Sequence, residues 1–123
     1  VVAMTERRRV AGGVEALTTR TEYLATGEPV RITRSVAGGA SVVRWMRYDT
    51  LGRRVLNVEP NSVVGFTADA TTLPASLKAW RYAYDHAGQL VGTSDARGCG
   101  INYHYDLGGR IVAEDYSPCT AEQ

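Results

Sequence analysis

The clearest order in this chain is a period of two. Trp80, Tyr82 and Tyr84 alternate with Arg81 and Ala83, and Ile101, Tyr103 and Tyr105 alternate with Asn102 and His104. Successive side chains of a strand point to opposite faces, so each run predicts a half-buried strand with one aromatic face. Farther upstream, Val30, Ile32 and Val36 predict a strand, Gly38-Gly39 a turn, and Ser41 to Tyr48 a second strand on which Arg44, Met46 and Tyr48 share a face. Residues 1–20 show no clean periodicity. Glu6-Arg7-Arg8-Arg9 and Gly12-Gly13 interrupt them, and they read as a strand edge or a poorly ordered terminus. The organised region is expected over 21–116, with 117–123 expected as a tail truncated from a longer parent.

The strands are punctuated by one recurring element. Tyr48-Asp49-Thr50-Leu51-Gly52-Arg53, Tyr84-Asp85-His86-Ala87-Gly88-Gln89 and Tyr105-Asp106-Leu107-Gly108-Gly109-Arg110 share a tyrosine and an aspartate, with a glycine three residues after the aspartate. Tyr23-Leu24-Ala25-Thr26-Gly27-Glu28 is a worn fourth copy, with Leu24 in place of the aspartate. Aspartate at the first position of a type I turn accepts hydrogen bonds from amides within the turn. Glycine at the fourth supplies the positive φ of a G1 bulge. Each copy is thus a predicted β-hairpin tip, and Asp95-Ala96-Arg97-Gly98 is a further turn of the same form. Asp85, Asp95 and Asp106 fall ten and eleven residues apart, which leaves six or seven residues per strand and describes an antiparallel meander.

The interval from Tyr48 to Tyr84 is 36 residues, against 21 from Tyr84 to Tyr105, so an insertion is expected over about 59–79. Glu59-Pro60-Asn61 closes the preceding strand, 63–66 reads as a short edge segment, and 72–78 as a helical turn. Leu73, Leu77 and Trp80 are expected to point the same way and pack the excursion onto the sheet.

Composition narrows the function classes. A chain of 123 residues with 44% hydrophobic residues and four prolines suits one modest domain rather than global disorder. Arginines are spread along the strands and balanced by thirteen carboxylates for a net charge of +1, unlike the clustered basic face of a nucleic-acid binder. No apolar run approaches the ~20 residues of a membrane span. Two cysteines allow a single intrachain disulfide; the reading is of two free thiols, with a Cys99–Cys119 bridge as the alternative.

The tandem Tyr-x-Tyr-Asp-x-x-Gly-[Arg/Gln]-[Leu/Ile] at residues 82–90 and 103–111 closely resembles the YD repeat of bacterial RHS proteins, of Tc toxin cocoon components and of teneurins. The resemblance covers roughly residues 21–116. It implies an all-β fold in which antiparallel hairpins form a continuous sheet spiralling into a hollow shell. It also implies a role: in bacterial members the shell encloses a toxic C-terminal domain, and in teneurins it forms part of an adhesion receptor. The partners so implied are the remaining repeats of a parent chain and an encapsulated effector domain, in a secreted or cell-surface setting. The repeat residues carried over are Tyr23, Gly27, Tyr48, Asp49, Gly52, Arg53, Tyr82, Tyr84, Asp85, Gly88, Asp95, Gly98, Tyr103, Tyr105, Asp106, Gly109 and Arg110. The copies depart from the family pattern at Leu24, Glu28 and Gln89, and the self-cleavage motif that closes many RHS arrays has no match here.

Catalytic chemistry finds little purchase. His86 sits in a tip and His104 on the face opposite Tyr103 and Tyr105; with Cys99 and Cys119 they lack the short spacings of a zinc site. The turn aspartates are tied to amides, which makes them poor general bases, and Ser62, Ser76 and Ser94 lie in no nucleophile motif. No catalytic, metal or cofactor residues are assigned, and the chain is read as a structural wall segment rather than an enzyme. The alternative is an adhesion module, because an aromatic row can stack a glycan. Exposure separates the two: packing tyrosines are covered and sugar platforms are open.

Overall fold

The computed structural model describes residues 1–60, 66, 72–74 and 77–119. Among the described residues the alternation resolves into nine strands: β1 (Val2–Val10), β2 (Gly13–Tyr23), β3 (Pro29–Val36), β4 (Ser41–Tyr48), β5 (Arg54–Val58), β6 (Ala79–Tyr84), β7 (Leu90–Ser94), β8 (Gly100–Tyr105) and β9 (Ile111–Ser117). They form one open antiparallel sheet in sequence order, the meander that the turn spacing predicts. The four Tyr-led tips join β2–β3, β4–β5, β6–β7 and β8–β9, so all four lie along one end of the sheet. The β1–β2, β3–β4 and β7–β8 turns and the β5–β6 excursion lie at the other.

The sheet begins at Val2, so residues 1–20 hold the edge strand β1 and most of β2. β1 pairs with β2 from Val2↔Thr21 to Val10↔Gly13, supported by a cross-strand Arg8–Glu15 ion pair at 2.8 Å. All of β1 is exposed, so it has no buried face for a hydrophobic period to report.

Residues opposite one another share a face of the sheet. Trp45, Val58 and Ala79 therefore fall on one side, as do Arg47, Leu56 and Arg81. On this side Leu56, Val58 and Ala79 form the buried core with Phe66 and Leu77 from the excursion. Trp45 packs edge-on to Phe66 at 6.0 Å between ring centroids, and the Arg47 guanidinium lies 5.7 Å over the Phe66 ring. Full burial of a large apolar side chain such as Leu56, Phe66 or Leu77 is worth about 1.5–3 kcal/mol, so Phe66 and Leu77 cover this face with a small core.

Three expectations change. Residues 72–78 form no helix among those described; the local order is a turn in which the Leu77 amide donates to the Pro74 carbonyl at 3.0 Å. Leu73, Leu77 and Trp80 do not point the same way. Leu77 is in the core and Leu73 is 40% exposed, while Trp80 follows Ala79 along β6 and so faces the other side, also 40% exposed. Strand alternation there overrides the helical spacing. The cysteines are not free: Cys99 and Cys119 form a disulfide, with Cα atoms 4.2 Å apart, just beyond the Gly100↔Ser117 end of the β8–β9 ladder. The long β9 strand brings residues 20 apart in sequence to the same end of the sheet, a proximity that spacing alone does not reveal. Of the expected edge segment 63–66 only Phe66 is among the described residues; Ser62, Ser76 and 120–123 lie outside them.

Candidate functional site

The row of tips is where the repeat residues converge. In each Asp-led tip, and in the Asp95 turn at the other end of the sheet, the first-turn amide and the glycine amide close the loop. Asp49, Asp85, Asp95 and Asp106 donate their N–H to the carbonyls of Arg53, Gln89, Cys99 and Arg110 at 2.8–3.0 Å, and Gly52, Gly88, Gly98 and Gly109 donate back to the aspartate carbonyls at 3.0–3.1 Å. The glycines carry φ of 75–95°, and a β-bulge precedes each Tyr48, Tyr84 and Tyr105. The worn first copy keeps this backbone: Leu24 N–H reaches Glu28 O at 2.9 Å and Gly27, at φ 103°, reaches Leu24 O at 3.1 Å. Leucine removes only the side-chain layer of the motif.

That layer is specific. Asp49 Oδ1 accepts from the amides of Leu51 and Arg53 at 2.9 Å each, and Oδ2 accepts from Arg53 Nε at 2.7 Å. Asp106 repeats this with Gly108 N, Arg110 N and Arg110 Nε at 2.9, 3.0 and 2.8 Å. Asp95 does the same with Arg97 N, Cys99 N and Arg97 Nε. Asp85, whose tip has Gln89 in the arginine position, accepts from the Gln89 amide at 2.8 Å. Partial desolvation pushes the Asp49 and Asp95 carboxyls up. Hydrogen bonds from Arg53 and Leu51, and from Arg97 and Cys99, outweigh it and hold both below the ordinary value. Asp106 is lowered by the Arg110 amide and guanidinium, against a smaller desolvation. Carboxylates so engaged are anchors rather than bases.

Successive tips are also joined to one another. The Tyr48 hydroxyl donates to the Pro29 carbonyl at 3.0 Å, Tyr84 to Arg54 at 3.0 Å and Tyr105 to Leu90 at 2.7 Å. Counted from its own tyrosine as zero, each acceptor is position six of the preceding tip. Position five makes the second link. A Cβ on Gly52 would stand 3.2 Å from Glu28 Oε1, on Gly88 3.8 Å from Arg53 Nη1, and on Gly109 2.9 Å from Gln89 Nε2. Arg53 goes furthest: its guanidinium lies 4.7 Å over the Tyr84 ring and donates to the Asp85 carbonyl at 3.3 Å. Tyr23, the first tyrosine, is 44% exposed.

The acceptor carbonyls of Pro29, Arg54 and Leu90 left no trace in the sequence, since backbone has no letter. Position five did: Glu28, Arg53, Gln89 and Arg110 are all long and polar. Tyr82 and Tyr103 are half-buried two residues before the tip tyrosines, while His86 and His104 are exposed and apart.

A separate concavity of about 440 Å³ opens on the face that carries Trp80 and Tyr82, lined by Trp80, Thr93, Ile101 and Tyr116 with Asp95 and Arg97 at its rim. Tyr116 is 67% exposed. Its hydroxyl donates to Glu114 Oε2 at 2.7 Å, a bond that, with the Glu114 charge, pushes the phenol up. Among the described residues no three His, Cys, Asp or Glu side chains gather as a metal site, and no helix is long and apolar enough to cross a membrane. No family model and no curated protein matches the sequence.

Proposed function

We infer that this chain is a wall segment of an RHS-type YD-repeat shell, a structural element that encapsulates or presents another domain and performs no catalysis of its own. The observation that carries the reading is the recurring tyrosine-to-carbonyl bond, made three times at the same repeat positions, 2.7–3.0 Å long. A contact that links each hairpin to the one before it stiffens a sheet along its growth direction, which is what a wall requires and a catalytic pocket does not. The polar tips support the same role, because their carboxylates are spent on turn amides. The Cys99–Cys119 disulfide supports a secreted or cell-surface setting, since such bonds persist in oxidising compartments. Limited proteolysis of the natural protein, followed by mass spectrometry, tests the reading. A wall protects its cargo, so an effector domain should be cut only after the sheet opens; an effector cut at the same rate with the sheet intact overturns it.

A second reading has its own observation. Trp80 and Tyr116 are open, unlike the bonded tip tyrosines, and form the shelf a glycan-binding adhesion module needs. Glycan-array binding lost in Trp80→Ala, with the fold retained by circular dichroism, would favour it over the wall.

A further inference from the structure

The register gathers arginines that the sequence scatters. Opposite residues share a face, so Arg7 and Arg9 on β1, Arg20 on β2, Arg31 on β3, Arg47 on β4 and Arg81 on β6 all stand on the side that carries Trp45 and Leu56. Strands β1–β8 contain three carboxylates, Glu6, Glu15 and Glu22, and only Glu22 is on this side. The other side is closer to balance: of its Arg8, Arg34 and Arg44, Arg8 pairs with Glu15 at 2.8 Å and Arg44 with Glu59 at 3.3 Å. One side of the sheet is therefore basic although the whole chain carries only +1. The arginines form an oblique stripe. Arg20 and Arg31, and again Arg31 and Arg47, are diagonal neighbours on adjacent strands, about 7–8 Å apart. Arg81 stands level with Arg47, both opposite Leu56. Arg7, Arg9 and Arg20 are exposed, and Arg31 and Arg81 half-buried. Arg7, Arg9 and Arg81 make no ion pair among the described residues. Glu22 shows how the stripe takes an anion: its Oε1 lies 3.6 Å from Arg20 Nε and 3.5 Å from Arg31 Nη1, between guanidiniums on neighbouring strands.

We propose that this stripe docks an extended acidic segment of a partner polypeptide, lying obliquely across β1–β6 with a carboxylate at every second residue. An extended chain presents alternate side chains about 6.5–7 Å apart, close to the diagonal step between the arginines. Each guanidinium meets a carboxylate through two parallel N–H donors, a planar match that fixes direction as well as charge. A nucleic-acid strand fits less well, because it needs open rings between its phosphate contacts. Trp45, the ring within the stripe, is covered by the Arg31 guanidinium at 4.9 Å, and Trp80 and Tyr116 lie on the opposite face. Arg47 is already held over Phe66, so the docking contacts fall to the other five arginines. The inference rests on register and charge and holds whatever the wall encloses.

The test is a fluorescence-anisotropy titration of the 123-residue protein with a labelled peptide of about 12 residues alternating Glu and Thr, roughly 40 Å long when extended. Saturable binding is expected, weakening as salt is raised. Arg7→Gln, Arg9→Gln and Arg81→Gln combined should weaken it roughly 10-fold. The opposite-face set, Arg8→Gln, Arg34→Gln and Arg44→Gln, removes the same charge and should change binding by less than about 2-fold. On the unaltered protein the peptide should slow phenylglyoxal modification of Arg7, Arg9 and Arg20 but not of exposed Arg34, which reads the surface without any variant. A labelled oligothymidylate of equal charge should bind more weakly than the peptide. Absence of peptide binding, equal losses in the two triple sets, protection of Arg34 in place of Arg7, Arg9 and Arg20, or tighter binding of the oligothymidylate each overturns the proposal.

Discussion

Strands β4–β6 and strands β7–β9 belong to one sheet and are held by different physics. In the first region Leu56, Val58 and Ala79 are buried beneath Phe66 and Leu77, in the manner of a small domain core. In the second, no residue from 90 to 119 is buried. Order there comes from the carboxylate networks of Asp95 and Asp106, the Tyr105–Leu90 bond and the Cys99–Cys119 disulfide. A meander can thus continue beyond its hydrophobic core when each hairpin carries its own polar closure and a link to its predecessor. Local closure is also what makes a repeat portable along an array.

The comparison is open to attack from both sides. Leu56→Ala empties a site in the covered region and should cost about 2–5 kcal/mol in urea denaturation; Ile101→Ala, on the half-buried face of β8, should cost clearly less. Equal losses would erase the distinction. Removing the disulfide with Cys99→Ser and Cys119→Ser together should cost about 2–4 kcal/mol, given a loop of 20 residues. Amide exchange should place the loosening in β8 and β9 rather than in β5. Gly88→Val forces a β-branched residue into φ of +84° and should destabilise by about 1–3 kcal/mol, whereas Ala87→Val in the same tip should be milder. If the two variants melt alike, the turn does not need its glycine.

The smallest effect is in pH. Asp49, Asp95 and Asp106 have folded-state pKa values lowered from an ordinary 3.8, so the unfolded chain takes up protons first. Their contribution is present above the unfolded value of about 3.9 and is lost as pH falls from there through the lowered folded values. Acid titration of stability should therefore slope downward below about pH 4. The triple variant Asp49→Asn, Asp95→Asn, Asp106→Asn should flatten that slope. A slope unchanged in the triple variant would assign acid sensitivity to other carboxylates.

What the sequence disclosed follows the same divide. Tips were legible because Asp, Gly and Tyr each meet a local backbone demand, and β6 and β8 because an aromatic residue at every second position marks one face. For β1 the sequence left a strand edge and a poorly ordered terminus undivided, since a strand exposed on both faces leaves no period to read. Leu77 packs onto the sheet as its apolar spacing suggested, while the role of Phe66 depends on contacts made through space, as does the disulfide. In the tip row, aspartate and glycine stand where the turn amides and the positive φ call for them. The forward links were not read, because the acceptors at Pro29, Arg54 and Leu90 are main-chain carbonyls and the long side chains at position five vary in charge from Glu28 to Arg53.

The central claim is that the tip tyrosines bind each hairpin to the one before it. Denaturant unfolding of Tyr23→Phe, Tyr48→Phe, Tyr84→Phe and Tyr105→Phe tests this with one hydroxyl removed at a time. The account predicts a loss of about 1 kcal/mol for Tyr48, Tyr84 and Tyr105, whose hydroxyls donate to the preceding tip, and no measurable loss for Tyr23. Equal losses at all four positions, or none at the three bonded ones, would contradict it.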